Sequence, residues 1–210
     1  MANMARVWCL VVFASLGCAS ADSSAYLRWK ESPPSGRLDG KVAVKLIPNL
    51  RPAQKGDSDL VEIGRERAAN GQLNAIRLEG DQNPRIDYTV GKMTMAALRS
   101  AGLGITQPED PKATAHLTIE IHDFWCDAGI AARASVGLEL VLIDPATGSE
   151  RLRVPVTGAG AAPACRDAFR IALGEVAHGL ATAFAEPEVH EAALGPPSTT
   201  PGSTDQPQSQ

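Results

Sequence analysis

Apolar and polar residues alternate along several short stretches of this chain, and in two longer stretches apolar residues recur every three or four positions. The clearest alternation is at 114–123, with Ala115, Leu117, Ile119 and Ile121 on one side and His116, Thr118, Glu120 and His122 on the other. A period of two predicts a strand with one buried and one wet face. Residues 135–143 place Val136, Leu138, Leu140 and Leu142 inward, the run Asp144-Pro145-Ala146-Thr147-Gly148 supplies turn residues, and Leu152, Val154 and Val156 resume the alternation. That order predicts an antiparallel hairpin. Residues 41–47 give an opening strand with Val42, Val44 and Leu46 on one face and Pro48 as its stop, and weaker strands at 60–63 and 73–78 flank an Asn70-Gly71 turn signal.

The helical period appears first in Val90, Met93, Ala97, Leu98 and Ala101, predicting a helix over 87–101 with Asp87 as N-cap and Gly102 as stop, followed by a short strand at 103–106. It returns in Cys165, Phe169, Ala172, Leu173, Val176, Leu180 and Phe184, with Pro163 suited to a first helical position. Gly158-Ala159-Gly160 falls in the loop expected between hairpin and helix, where glycine is ordinary. Together these elements predict an α+β domain, a mainly antiparallel sheet with two helices packed on one face.

Outside 40–187 the pattern changes. Residues 1–17 carry one basic residue, Arg6, and then the uninterrupted apolar or small stretch 7–17, as in a signal peptide. Its eleven residues would span about 16 Å as a helix, roughly half of a bilayer's hydrocarbon core. Residues 18–39 are rich in Ser, Ala, Pro and Gly without a sustained period and read as a flexible tether reaching about 25 Å. Residues 188–210 end in PPSTTPGSTDQPQSQ and read as a disordered tail.

Composition narrows the function. The chain has 210 residues, 44% of them apolar, 20 basic against 24 acidic, and 4% aromatic. That is enough for one cored domain, but a net charge of −4 without a basic run excludes a nucleic-acid surface. Of four cysteines, Cys9 lies in the leader and Cys18 at its end, leaving Cys126 and Cys165; two cysteines in an exported domain predict a disulfide between a strand end and the start of the second helix.

The run Leu16-Gly17-Cys18-Ala19 resembles the lipobox of bacterial lipoproteins, in which the Cys is acylated and becomes the mature N-terminus; Ser15 stands where that family carries a branched apolar residue. The resemblance implies lipidation, palmitate included, at Cys18. The alternative is cleavage at the A-x-A-like Ala19-Ser20-Ala21, which releases a soluble periplasmic protein. Ala19 after the Cys, rather than Asp, implies the outer membrane, with the domain facing the periplasm. The helix ending AALRSAGLGI (96–105), the strand ATAHLTIEI (113–121), the hairpin VGLELVLIDPATG (136–148) and the closing helix resemble, in pattern and order, the YajG-type group of bacterial lipoproteins. That resemblance implies an envelope-anchored, non-enzymatic binding or assembly role.

Candidate chemistry is sparse. His116, Glu120 and His122 share a strand face, where residues two apart lie about 6.6–7 Å from each other, too far to chelate a metal unaided; a solvated polar face is the expectation, and neither metal nor cofactor is expected. His122, Asp123 and Asp127 around Cys126 would form a nucleophile site only if Cys126 were a free thiol. No nucleophile-elbow, phosphate-loop or dinucleotide glycine motif occurs, and His178 and His190 read as surface residues. Phe124 and Trp125 form a possible partner contact, provided that Trp125 is exposed; otherwise Trp125 plugs the core. The expected function is a non-enzymatic interaction module anchored through its lipid, with an envelope protein as partner, docking by a sheet edge or by the Phe124-Trp125 end. The alternative is a lipid- or small-ligand-binding auxiliary lipoprotein of an envelope transport system, with an apolar cleft between sheet and helices.

Overall fold

The computed structural model describes residues 21–22, 39–55, 59–68, 70–79 and 85–195. The leader, Cys18 and residues 196–210 lie outside the described residues. Seven strands build one curled sheet: β2 (Asp39–Leu46), β3 (Glu62–Arg67), β4 (Leu73–Glu79), β5 (Leu103–Thr106), β6 (Ala115–Ala128), β7 (Ala132–Ile143) and β8 (Glu150–Ala162). A two-residue strand, β1 (Ala21–Asp22), extends one edge. Three helices accompany them, α1 (Ile86–Ser100), α2 (Cys165–Ala185) and α3 (Pro187–Leu194). None of the described helices is long and apolar enough to cross a membrane.

The 14-residue β6 organises the sheet. Along one edge it pairs antiparallel with β7, which pairs antiparallel with β8. Its other edge is shared in tandem by two strands that both run parallel to it, β2 beside Ala115–Thr118 and β3 beside Cys126–Ala128. Outside them lie β5, parallel to β2, and β4, antiparallel to β3. The sheet is therefore mixed, and the expected mainly antiparallel arrangement is corrected. Alternation reports which face a residue occupies and nothing of a neighbour's direction; α1, running from β4 to β5, is the crossover that brings β5 in parallel beside β2.

Between β2 and β3 the chain continues along β6. The Ile121 N–H donates to the Pro48 carbonyl at 2.9 Å and the Leu50 N–H to the Ile121 carbonyl at 2.8 Å. Arg51, only 2% exposed, follows. Its Nη1 donates to the carbonyls of Glu62 (2.8 Å) and Phe124 (3.1 Å), and its Nε donates to Asn49 Oδ1 (2.8 Å). It thus ties together the segments that meet where the edge of β6 changes partner.

The predicted inward residues form the core. Ala115, Leu117, Ile119 and Ile121 are fully buried, as are Val136, Leu138, Leu140 and Leu142 to within 2%, and the α2 stripe from Cys165 to Phe184 covers them. Phe124 stacks on Phe169 with ring centroids 5.1 Å apart. The strands outrun their prediction, and Gly158 and Gly160 belong to β8 rather than to a loop. A Cβ at Gly158 would lie 2.2 Å from the Ala172 carbonyl oxygen, and one at Gly160 2.0 Å from that of Ala168. Two glycines on the inward side of the strand thus let helix backbone touch strand backbone.

Other departures have local causes. The register of β2 shifts between Val44 and Leu46, so Leu46 turns outward and is 64% exposed. Helix α1 starts one residue early on an N-cap, Arg85, that offers no side-chain bond, because Asp87 is held by the Arg85 guanidinium at 2.7 and 3.0 Å. Pro163 precedes the N-cap Ala164 of α2. The span expected to be a free tether contains β1, and part of the expected tail is α3, whose Val189 and Ala193 are buried. The ordered elements therefore continue to Leu194, and the α-helices among the described residues number three rather than two.

Candidate functional site

The sulfurs of Cys126 and Cys165 are joined, with Cα atoms 6.0 Å apart. Both residues are buried, so the bond staples the central strand to the first turn of the covering helix, the position expected for it. A sulfur in a disulfide offers no thiolate. The other members of the imagined nucleophile group are engaged elsewhere: Asp123 accepts from Lys55 Nζ at 2.9 Å and Ser135 Oγ at 2.6 Å, and Asp127 accepts from Trp125 Nε1 at 3.0 Å.

On the sheet face turned away from α1 and α2, charged side chains of three adjacent strands meet. Arg153 of β8 donates to Glu120 of β6 at 3.0 Å, to Glu139 of β7 at 2.9 Å and to Glu150 at 2.8 Å. His122 Nε2 lies 3.2 Å from Glu120 Oε2 and 3.3 Å from Glu139 Oε2. Hydrogen bonds to Glu150 and Glu139 hold the Arg153 guanidinium above the usual arginine range, and Arg153 in turn lowers Glu150. The candidate ligand atoms of Glu120, His122 and Glu139 lie within 4.8 Å of one another, the single such triplet found among the described residues. The Arg153 guanidinium already bonds both carboxylates there. His116 is not part of this group: it sits nearer Lys45 and Asp144, its pKa lowered first by burial and then by Lys45. Sequence reading missed Glu139 and Arg153; the available signal was three charged residues at outward positions of three consecutive strands. His178 is exposed on α2 and His190 half-buried on α3.

The Phe124-Trp125 pair divides across the sheet. Phe124 points into the core and is fully buried, whereas Trp125 lies on the opposite face, 5% exposed, beneath the Arg65 guanidinium at 5.8 Å from the ring centroid. An exposed aromatic contact is thereby corrected: the inward Phe124 has no surface, and Trp125 is the wall of an open hollow of about 470 Å³ rimmed by Lys55, Arg65, Arg67, Leu73 and Gly129. A second open hollow, about 440 Å³, lies where Val44 and Ile47 of the β2 end face Tyr88, Gly91 and Met95 of α1. Near the other end of the sheet Arg151 fastens the hairpin to the C-terminal helix, bonding Asp144 Oδ2 at 2.6 Å, the Thr114 carbonyl at 2.8 Å and the Ala192 carbonyl at 3.0 Å.

The outer edge of β8 is blunted as a docking strand. The Ala159 N–H is accepted by Glu175 Oε2 at 2.8 Å, and Pro155, on the same edge four residues earlier, has no N–H to give.

No family model matches the sequence, and no curated protein matches it. Solved structures are similar at the level of fold. They include protein XCC0632 of Xanthomonas campestris, described under DUF330 (13% identity, 73% of this chain and 85% of that chain, TM-score 0.45). The PelC dodecamer of Paraburkholderia phytofirmans is another (16%, 73% and 92%, 0.46), as is the lipoprotein GNA1162 of Neisseria meningitidis (11%, 68% and 96%, 0.38). At these identities and scores no role passes from them to this chain.

Proposed function

We propose that the chain is an exported bacterial lipoprotein of YajG type, held at the envelope by acyl chains on Cys18, whose domain serves as a non-enzymatic interaction module. The observation that carries this reading is the buried Cys126–Cys165 disulfide between the central strand and the covering helix. Such a bond belongs to an oxidising compartment, and the apolar run of 7–17 ending at Cys18 supplies the route to one. The interaction half of the reading is supported by two further features. The inward residues of sheet and helices form a filled core, and the hollows at Trp125 and at Tyr88 open to solvent. The β8 edge is closed by Glu175 and Pro155, so docking by strand addition there is disfavoured and a contact by faces or turns is favoured.

The test is the intact mass of the protein taken from its native membrane, with alkylation before and after reduction. The expected chain begins at acylated Cys18 and takes no alkyl group on Cys126 or Cys165 until it is reduced. A chain beginning beyond Cys18 without acyl mass, or one alkylated without reduction, overturns the reading. Crosslinking of the anchored protein in intact cells then tests for the envelope partner.

A further inference from the structure

Glu120 of β6 and Glu139 of β7 stand directly opposite each other on antiparallel neighbours. Like charges in that position repel, so the pair needs a cation at hand. Two residues after Glu120 the register of β6 against β7 shifts, between Ile121 and Asp123, and His122 is left without a cross-strand partner. An extra residue of this kind re-aims its side chain. On a regular strand residues two apart lie about 6.6–7 Å from each other, yet His122 Nε2 comes to 3.2 Å from Glu120 Oε2 and 3.3 Å from Glu139 Oε2. The neighbouring strand thus supplies the third donor that β6 alone lacks.

All three donor atoms lie within 4.8 Å of one another. Ligands held at about 2.0–2.1 Å around a tetrahedral ion are about 3.3 Å apart, and both distances from His122 match that edge. One imidazole with two carboxylates suits zinc, whereas calcium and magnesium favour oxygen throughout. Glu120 and Glu139 are half-buried and His122 is exposed, so the fourth position opens to solvent. Arg153 is the counter-charge already there, but only its Nη1 serves Glu120 and Glu139, at 3.0 and 2.9 Å. Its Nε and Nη2 hold Glu150 at 3.1 and 2.8 Å. The guanidinium can therefore give up the two carboxylates and keep a bidentate ion pair.

We propose that Glu120, His122 and Glu139 form a zinc site on the outer face of the sheet, with water as the fourth ligand and Arg153 as the cation that zinc displaces. The site is built by the register of β6 and β7 and needs no lipid anchor, so it stands or falls separately from the lipoprotein reading.

The experiment titrates the mature chain, oxidised and without an affinity tag, with zinc chloride against a chromophoric chelator. Cys126 and Cys165, being joined, offer no thiolate to compete for the ion. The expected result is one zinc ion per chain, with the ring-nitrogen resonances of His122 moving on binding while those of His116, His178 and His190 stay in place. His122→Ala and Glu139→Gln are each expected to weaken binding by about tenfold or more. Arg153→Gln, which removes the competing charge, is expected to tighten it by about tenfold. A melting temperature for each variant shows that it folds, and the ring spectrum of the unaltered protein decides the matter where one does not. A network that is only an ion pair gives the opposite results. No zinc taken up, His122 resonances that do not move, binding unchanged in His122→Ala, or binding weakened in Arg153→Gln each overturns the proposal.

Discussion

A guanidinium taken out of water is tolerable only when nearly all its donors find acceptors, and Arg51 meets that condition with the carbonyls of Glu62 and Phe124 and the side chain of Asn49. Arg51→Ala takes the guanidinium away from those acceptors at a buried junction, and is expected to lower stability by about 3 kcal/mol in urea denaturation; Arg51→Lys keeps the charge but loses the planar fork and is expected to recover only part of it. Two carboxylates set the acid limb. The Thr106 hydroxyl and the Lys112 N–H hold Asp110 at about 2, and Arg151 with the N–H groups of Thr147 and Ala146 holds Asp144 at about 2, against an ordinary 3.8. A folded-state value below the unfolded one contributes stability that is complete above the unfolded value and is lost as pH falls through the folded one. The urea midpoint is therefore expected to decline from about pH 4 toward about pH 2, with a shallower decline in Asp144→Asn. Neither Arg51 nor Asp144 was legible as a key residue in sequence, because a lone Arg after Asn-Leu and an Asp in a Pro-Gly turn look like ordinary surface residues until the fold brings carbonyls of Glu62 and Phe124 to Arg51 and the Arg151 guanidinium to Asp144.

At the scale of elements, period two and period three-to-four revealed where the strands and helices lie, and the inward positions of β6, β7 and α2 were read correctly. What escaped were events that leave no period: the register shift that turns Leu46 outward, and the contact of α2 with Gly158 and Gly160, whose glycines read equally well as a loop. Gly160→Ala forces the Ala168 carbonyl away from a Cβ built 2.0 Å from it, and α2 must lift from the sheet. The expected loss is about 3 kcal/mol, seen as a lowered melting temperature with the disulfide intact. The staple between β6 and α2 closes a separation of 39 residues. Replacing both cysteines with serine is expected to cost about 4 kcal/mol in the same urea assay.

Over the whole molecule, fold class and the antiparallel hairpin of β7 and β8 were legible and the parallel pairings were not, since β2 and β3 share one edge of β6 through pairings that lie far apart in the chain. The candidate site was legible in part: the disulfide from cysteine count, and the wet face of β6 from alternation, but not the meeting of Glu120, Glu139 and Arg153, which depends on the register of three strands. The same arrangement sets the order of events when the chain is made. Val42 finds its β6 neighbour Ala115 only after more than seventy further residues exist, and Gly64 must wait for Cys126. Until β6 has been synthesised, β3 has only its hairpin with β4 and β2 only the four-residue β5 to pair with, and the contacts of wide separation that join them into one sheet form slowly. A chain read out from its N-terminus therefore stays open and threadable for much of its synthesis, the state in which a polypeptide can be passed through a narrow channel before it folds on the far side.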